Sequence, residues 1–384
     1  MTPAARLSAA ITVLDHVLAG ESAERALTHW GRASRFAGSG DRSAVRDLVF
    51  DALRCQRSFA ALGGAMTGRG LVLGGLRAAG VDPAPLFSGD GHAPAPLTAL
   101  DQGHMPQGAE ALDLPDWLLP ELSLSLGEDL AAVAEAMRHR APVFVRVNIA
   151  RITRPAAIAA LQAEGITAHP HALADTALEV TQGARKIQTS KAYLTGLVEL
   201  QDAASQAVAA RLPLRDGMRV LDYCAGGGGK TLGMAARARL QLFAHDAKPA
   251  RLRDLVPRAA RAGAQVSLTD SPAAGSYDLV LADAPCSGSG SWRRDPQGKW
   301  ALTPEKLAQT LALQDLILDR SAALVAPGGV LAYATCSLLD AENSGRIAGF
   351  LARSPGWRQT DQLRLTPLSG GDGFYLAVLT QKTG

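Results

Sequence analysis

The chain has 384 residues, of which 47% are hydrophobic, 20% charged and 5% aromatic, and its formal net charge is +3. That length predicts two or three domains with room for a sizeable core, and the composition excludes an acidic disordered chain, a collagen-like repeat and a small disulfide scaffold. Four cysteines make no disulfide framework, the opening residues make a poor signal peptide, and no stretch approaches about 18 apolar residues, so the expectation is a cytoplasmic chain without a membrane span.

Residues 4–30 read as one or two amphipathic helices, with Leu7, Ile11, Leu14, Val17 and Leu18 recurring at helical steps. After the loop Gly38-Ser39-Gly40, Asp41 is placed to cap a helix that carries Val45, Leu48, Val49, Ala52 and Leu53 on one face. Residues 1–80 hold ten arginines against six acids, a net +4 that leaves the rest of the chain near neutral. A basic helical module suits RNA docking, and a solvated helix face explains the same charge. Only seven of the 39 basic residues are lysines. Arginine chosen to fork onto phosphates is one reading, and the codon usage of a GC-rich genome is the other.

Residues 81–116 are rich in Pro and Gly and read as a connector. Helical periodicity returns over 117–139. A strand over Val143–Asn148, a helix over Pro155–Glu164 and a strand at Leu178–Val180 then make a small α+β segment. From Met218 onward, short apolar runs (219–221, 241–245, 266–268, 279–282 and 330–334) alternate with helical stretches. That alternation predicts βαβ units and a parallel sheet, with ligands at the carboxyl ends of its strands.

The first of those strands runs into Cys224, Ala225, Gly226, Gly227, Gly228, Gly229 and Lys230, with a helix over Leu232–Ala238 beyond. Four glycines between strand and helix let the backbone approach a ligand closely, although the spacing matches neither a P-loop nor a strict G-x-G-x-x-G. Asp246 ends the second strand, where an acid can bind ribose hydroxyls, and Asp270 ends the third, where a carboxylate can meet an adenine amino group. Together they predict an adenosine-containing cofactor. Asp283-Ala284-Pro285-Cys286 ends the fourth strand and Cys336 follows the fifth. Cysteines in polar turns at strand ends favour reactivity over the commoner buried thiol. No C-x-x-C pair exists to hold zinc, so no metal is expected, and Cys55, on a helix, reads as core.

CAGGGGKT, DAPCSGSG and ATCSLLDAEN resemble the motifs of the RNA cytosine-C5 methyltransferases of the RsmB-like (Sun/Fmu) family. QDAASQ at 201–206, RRDPQGKW at 293–300 and GDGFYLAVL at 371–379 support the resemblance, and Gly226-Gly227 departs from the usual Ala-Pro of the glycine loop. The N-terminal helices are similar to the NusB-like RNA-binding domain of these enzymes. The resemblance implies a Rossmann-like class I methyltransferase domain using S-adenosyl-L-methionine. It implies three parts: 1–140, a helical RNA-binding domain with its connector; 141–213, a small α+β segment; and 214–384, the Rossmann-like domain. Cys336 would be the nucleophile, Asp283 the group at the base, and Cys286 the residue that assists product release. The loop 224–230, Asp246 and Asp270 would hold the cofactor, with Asp283 near its methionine end. Duplex stacking hides carbon 6 of cytosine, so the base must be unpaired or flipped. Arg293, Arg294, Lys299 and Trp300, basic and aromatic residues just beyond the Asp283 motif, suit RNA contacts, and a structural loop with Trp300 in the core is the alternative.

The implied partner is RNA, small-subunit ribosomal RNA first and transfer RNA second, with the protein a monomer. Three rival readings remain. A DNA cytosine-C5 methyltransferase would depend on Cys286 instead of Cys336. An amino-methylating enzyme needs a D/N-P-P-Y/F turn where this chain has Asp283-Ala284-Pro285-Cys286. A non-catalytic ribosome assembly factor would have lost a catalytic Cys or the glycine loop, and both are present.

Overall fold

Thr2 accepts the Ala5 amide at 3.2 Å and Pro3 occupies the first turn, so the first helix, Pro3–Leu18, begins with a capped proline start. The computed structural model describes residues 1–382 and divides the chain into two units: 1–140 together with 292–302, and 141–291 together with 303 onward.

The first unit is helical through Pro3–Leu18, Ala23–Ala33, Ser39–Arg54, Gln56–Gly63, Gly68–Ala78, Leu119–Leu126 and Leu130–Arg138. Leu7, Leu14, Val45, Val49, Leu53 and Leu71 form its core, on the faces that the periodicity predicts. Asp41 is not the cap expected. It lies inside helix Ser39–Arg54 and reaches back to the Gly38 amide at 3.3 Å. The stretch 81–116 is irregular, as its Pro and Gly content predicts, yet it is tied down. Phe87 is buried, and Arg69 grips Asp101 through bonds of 2.8 and 2.9 Å. The buried Asp113 accepts from the Ser58 amide and hydroxyl at 2.8 and 2.7 Å.

The basic surplus of residues 1–80 is largely answered within this unit. Arg6, Arg25, Arg46, Arg54, Arg57 and Arg69 meet carboxylates, and Arg42 and Arg77 donate to backbone carbonyls. Eight of the ten arginines thus have an acceptor within the unit.

The second unit contains two sheets. The smaller comprises β1 (Val143–Val147), β2 (Thr167–Pro170), β3 (Ala177–Gln182) and β4 (Val198–Leu200), antiparallel in the order β2-β3-β1-β4. Val145, Val147, Leu161, Leu178 and Ile187 fill its core with helix Arg154–Ala163.

The larger sheet comprises β5 (Arg219–Asp222), β6 (Gln241–Ala244), β7 (Ser267–Leu268), β8 (Tyr277–Asp283), β9 (Val325–Thr335), β10 (Trp357–Leu365) and β11 (Phe374–Gln381). Its order is β10-β11-β9-β8-β5-β6-β7, parallel from β5 to β9, with β11 antiparallel to both β9 and β10. This is a Rossmann-like fold. Its central strands read as unbroken apolar runs because residues such as Leu221, Val280 and Leu281 are buried. The sequence reading leaves β2, β4, β10 and β11 unassigned; β10, Trp357–Leu365, is a largely polar edge strand with alternating exposure. From β5 the chain steps outward to β6 and β7, and then returns to β8 on the other side. That reversal opens a crevice at the carboxyl ends of β5 and β8. Among the described residues, no single helix is long and apolar enough to cross a membrane.

Candidate active site

Strand register builds the site. Asp222 lies opposite Ala244 and Leu281, and Asp283 lies opposite Ala334, so the loops leaving β5, β8 and β9 emerge side by side. Cys286 lies three residues beyond the end of β8, and Cys336 directly follows β9. The result is a sulfur–sulfur distance of 3.4 Å.

The proton in this pair is unequally shared. Cys336 is held below the ordinary thiol value, first by the hydrogen bond it shares with Cys286. The Lys230 charge and Ser291 assist, while burial and the Asp283 carboxylate oppose. Cys286 is pushed well above the ordinary value by the same bond, by burial, and by the charges of Cys336 and Glu342. Cys336 is thus the more acidic of the two thiols, and the thiolate is the form that attacks carbon.

The turns carrying the two cysteines share a buried polar cluster. Ser289 Oγ lies 3.0 Å from Ser337 Oγ and accepts the Leu338 amide at 2.8 Å. Glu342, fully buried, accepts the Ser287 amide at 2.7 Å, the Ser287 hydroxyl at 2.5 Å and Gln314 Nε2 at 3.1 Å. Asn343 accepts from Thr335 Oγ1 at 2.5 Å and donates to Ser337 O at 2.9 Å. Gly290 and Gly373 exchange close backbone contacts, and a side chain on Gly290 would place its Cβ 2.2 Å from Gly373 O.

Lys230 is not at the loop's rim. Its buried stem turns inward, and its ammonium meets Asp283 Oδ2 at 2.7 Å and lies 4.5 Å over the Phe374 ring. Asp283 is thus half of an ion pair.

The glycine loop is shaped from below. Gly226 and Gly228 take φ of +50° and +78°, conformations that favour glycine, and a Cβ at Gly228 would come within 2.2 Å of Leu255 Cδ1. Asp246 accepts the Gly226 amide at 3.0 Å and the Lys248 amide at 2.9 Å, and its side chain is only 4% exposed. It holds the loop through one bond to each carboxylate oxygen. Arg258 donates to Gly227 O, and Arg146 of β1 donates to Gly229 O at 2.6 Å and to Gln201. Glu199 of β4 pairs with Arg258 and Arg261 at 3.4 and 2.7 Å, so the small sheet braces the cofactor side of the large one. Asp270 is exposed in the bend beyond β7. Burial lifts the Cys224 thiol well above the ordinary thiol range, and the residue packs against the core of the large sheet.

These residues fit a cofactor with a cationic amine and a nucleoside. Asp222, at the end of β5, accepts from Thr231 Oγ1 at 2.6 Å through Oδ2, while its buried Oδ1 has no partner within the protein. An orphaned carboxylate oxygen under a glycine loop suits a donor from a ligand.

The sequence matches the family described as 16S rRNA methyltransferase RsmB/F over residues 209–380, and a ferredoxin-like domain of RsmF/B-like methyltransferases over residues 114–187. It is similar to ribosomal RNA small subunit methyltransferase B of Citrobacter koseri, 34% identical over 70% of this chain and 66% of that protein. The protein of the same name from Vibrio vulnificus is 32% identical over 74% of this chain and 70% of that protein. The chain belongs to the RsmB/F methyltransferase family. It spans about two thirds of the length of the curated relatives it matches. The fold is similar to that of PH0851, with a TM-score of 0.77, 21% identity and 99% of each chain covered. The ferredoxin-like match of this RsmB/F chain crosses from the helical unit into the small sheet.

Of the residues that the family motifs mark, the fold brings together Cys286, Cys336, Asp283 and Lys230. Of the expected RNA contacts it buries two, Arg293 and Lys299, and leaves Arg294 exposed. Residues 292–302 belong to the helical unit, where Arg293 and Lys299 are buried. Arg293 O accepts from Arg54 Nε at 2.8 Å, Lys299 Nζ donates to Arg54 O at 3.0 Å, and Trp300 Nε1 donates to Leu53 O at 2.7 Å. The polar-aromatic run therefore serves as a fastening, the alternative weighed for Trp300, and Arg294 is the exposed member.

Sequence reasoning missed Asp222, Gln314, Glu342 and Asn343. Glu342 and Asn343 stand within the run ATCSLLDAEN, so the motif contained the signal. Gln314 lies in the middle of helix Pro304–Leu324 with no local mark.

Proposed function

We propose that this chain is an S-adenosylmethionine-dependent RNA methyltransferase that forms 5-methylcytosine in small-subunit (16S) ribosomal RNA. The observation that carries the reading is the 3.4 Å thiol pair at the carboxyl edge of the sheet, beside the Lys230–Asp283 pair. Family membership and the ribosomal RNA named for the relatives support the choice of substrate.

Carbon 5 of cytosine is a weak nucleophile. Attack by the Cys336 thiolate on carbon 6 forms an S–C bond and makes carbon 5 enamine-like. The bound cofactor supplies an electrophilic methyl group. Asp222, the glycine loop and Asp246 beneath it would hold that cofactor, with Arg146, Arg258 and Glu199 keeping the loop in place. Lys230 and Asp283, a charged pair within a partly buried pocket, orient the base and answer charge that develops on its ring. After methyl transfer a base removes the carbon-5 proton, the double bond re-forms and Cys336 leaves as thiolate. Cys286 stands beside the departing sulfur, where a proton carrier serves the elimination.

Wild type, Cys336→Ala, Cys286→Ala and the double variant, incubated with RNA and methyl-labelled cofactor, test this on a denaturing gel. Cys336→Ala loses methylation, and Cys286→Ala accumulates a denaturation-resistant protein–RNA adduct that needs Cys336. An adduct in Cys336→Ala, or in the double variant, refutes the assignment. Bisulfite mapping of ribosomal and transfer RNA identifies the cytosine, and label confined to transfer RNA refutes the ribosomal substrate.

A further inference from the structure

We propose that Glu342 is the positioning residue of the thiol pair: one buried carboxylate that ties the two cysteine turns together and decides which sulfur keeps the proton. The inference rests on the reading of Cys336 as nucleophile. Ser287 and Ser337 are each the residue immediately after a cysteine, and Glu342 takes a hydrogen bond from both hydroxyls. It also takes the Ser287 amide and the Gln314 side chain, so four donors converge on its two oxygens. The same offset on both turns means that the carboxylate sets the spacing of the two sulfurs directly.

A fully buried carboxylate costs several kcal/mol of desolvation unless its partners compensate it, and an uncharged acceptor could link two turns. The charge therefore needs a reason. Cys286 faces Cys336, Glu342 and Tyr333, whose hydroxyl donates to Glu342 O at 2.8 Å. Beyond Tyr333, Arg346 and Asp315 pair with each other at 2.6 Å. Cys336 faces Cys286, Asp283 and Lys230. Negative charge from Glu342 thus falls on the Cys286 side, whereas the Cys336 side meets the Lys230–Asp283 pair, whose opposite charges largely offset each other. In a low-dielectric interior that asymmetry keeps the proton on Cys286 and frees Cys336 as thiolate.

Site-resolved alkylation by iodoacetamide tests this without RNA. The thiolate displaces iodide, an S–C bond forming as the C–I bond breaks, and peptide masses report each sulfur between about pH 6 and 10. In wild type, Cys336 reacts about tenfold or more faster than Cys286 near neutral pH. Glu342→Gln lowers that ratio about tenfold and moves the Cys336 profile up by about one pH unit, whereas Glu342→Asp, which keeps the charge, keeps the order. Equal labelling in wild type, or a folded Glu342→Gln with the wild-type profile, overturns the proposal. The wild-type profile alone suffices for a refutation should the Gln variant not fold. Ordered labelling without methyl transfer to any RNA counts against the proposed function only. Methyl transfer with equal labelling counts against Glu342 only.

Discussion

Lys299→Met separates a fastening from an RNA contact. In the structure Lys299 is 2% exposed, its ammonium donates to Arg54 O at 3.0 Å and lies 4.5 Å over the Trp300 ring, and burial pushes it down to about 8. The folded unit therefore releases this proton more readily than the unfolded chain, whose lysine titrates near about 10.4. A depressed lysine contributes stability that is complete above the unfolded value and is lost as pH falls toward about 8. The difference of some two to three pH units amounts to about 3 kcal/mol. Methionine abolishes this pH dependence. It also forfeits a hydrogen bond, leaving Arg54 O unpaired at a cost of about 1–3 kcal/mol. The two variants should thus be close in stability near pH 7, with wild type drawing ahead by about 3 kcal/mol at pH 10.5. Urea unfolding followed by tryptophan fluorescence measures this, since four of the five tryptophans (30, 117, 292 and 300) belong to the helical unit. A stability difference that does not change with pH refutes the buried titration. In RNA binding, loss of one phosphate contact would reduce the salt slope by about 0.7–0.9, and the variant should show no such change.

The other predictions concern the cofactor side. Asp246→Ala frees the Gly226 and Lys248 amides and slackens the glycine loop. Cofactor affinity by calorimetry should fall about tenfold to a hundredfold, from a loss of about 1.5–3 kcal/mol, and unchanged affinity in a folded variant removes Asp246 from the site. Burial raises Asp222 to about 7, so its folded form keeps a proton that the unfolded chain gives up near about 3.9. Wild-type stability should therefore decline between about pH 4 and 7, by on the order of 4 kcal/mol, and Asp222→Asn should flatten that decline; parallel pH profiles from thermal unfolding contradict it.

Much of this protein is written locally. The alternation of apolar runs with helical stretches forces parallel strands to be joined by crossovers, and so the sheet from β5 to β9 and its reactive edge are legible from residue 218 onward. Cys286 and Cys336 stand in short polar turns directly after such strands, so chain position alone carries them to that edge. What the sequence does not determine is which partner each side chain meets, because partners come from turns far apart along the chain. Lys230 stands in a glycine loop that predicts ligand contact, yet register between β5 and β8 puts Asp283 within reach of its ammonium. Asp246 has the position of a ribose ligand, and only the fold shows that its carboxylate also accepts the Gly226 and Lys248 amides. Arg293, Lys299 and Trp300 carry the composition of an RNA contact. Unsatisfied carbonyls at the end of helix Ser39–Arg54, some 240 residues earlier, accept from Lys299 and Trp300, and Arg54 donates to Arg293 O. Glu342 is an unremarked acid until tertiary structure surrounds it with donors from both cysteine turns and removes the water. Pattern along the chain decides where a strand ends; only packing decides which charges are buried together, because that choice is made by desolvation and by distance, neither of which is local.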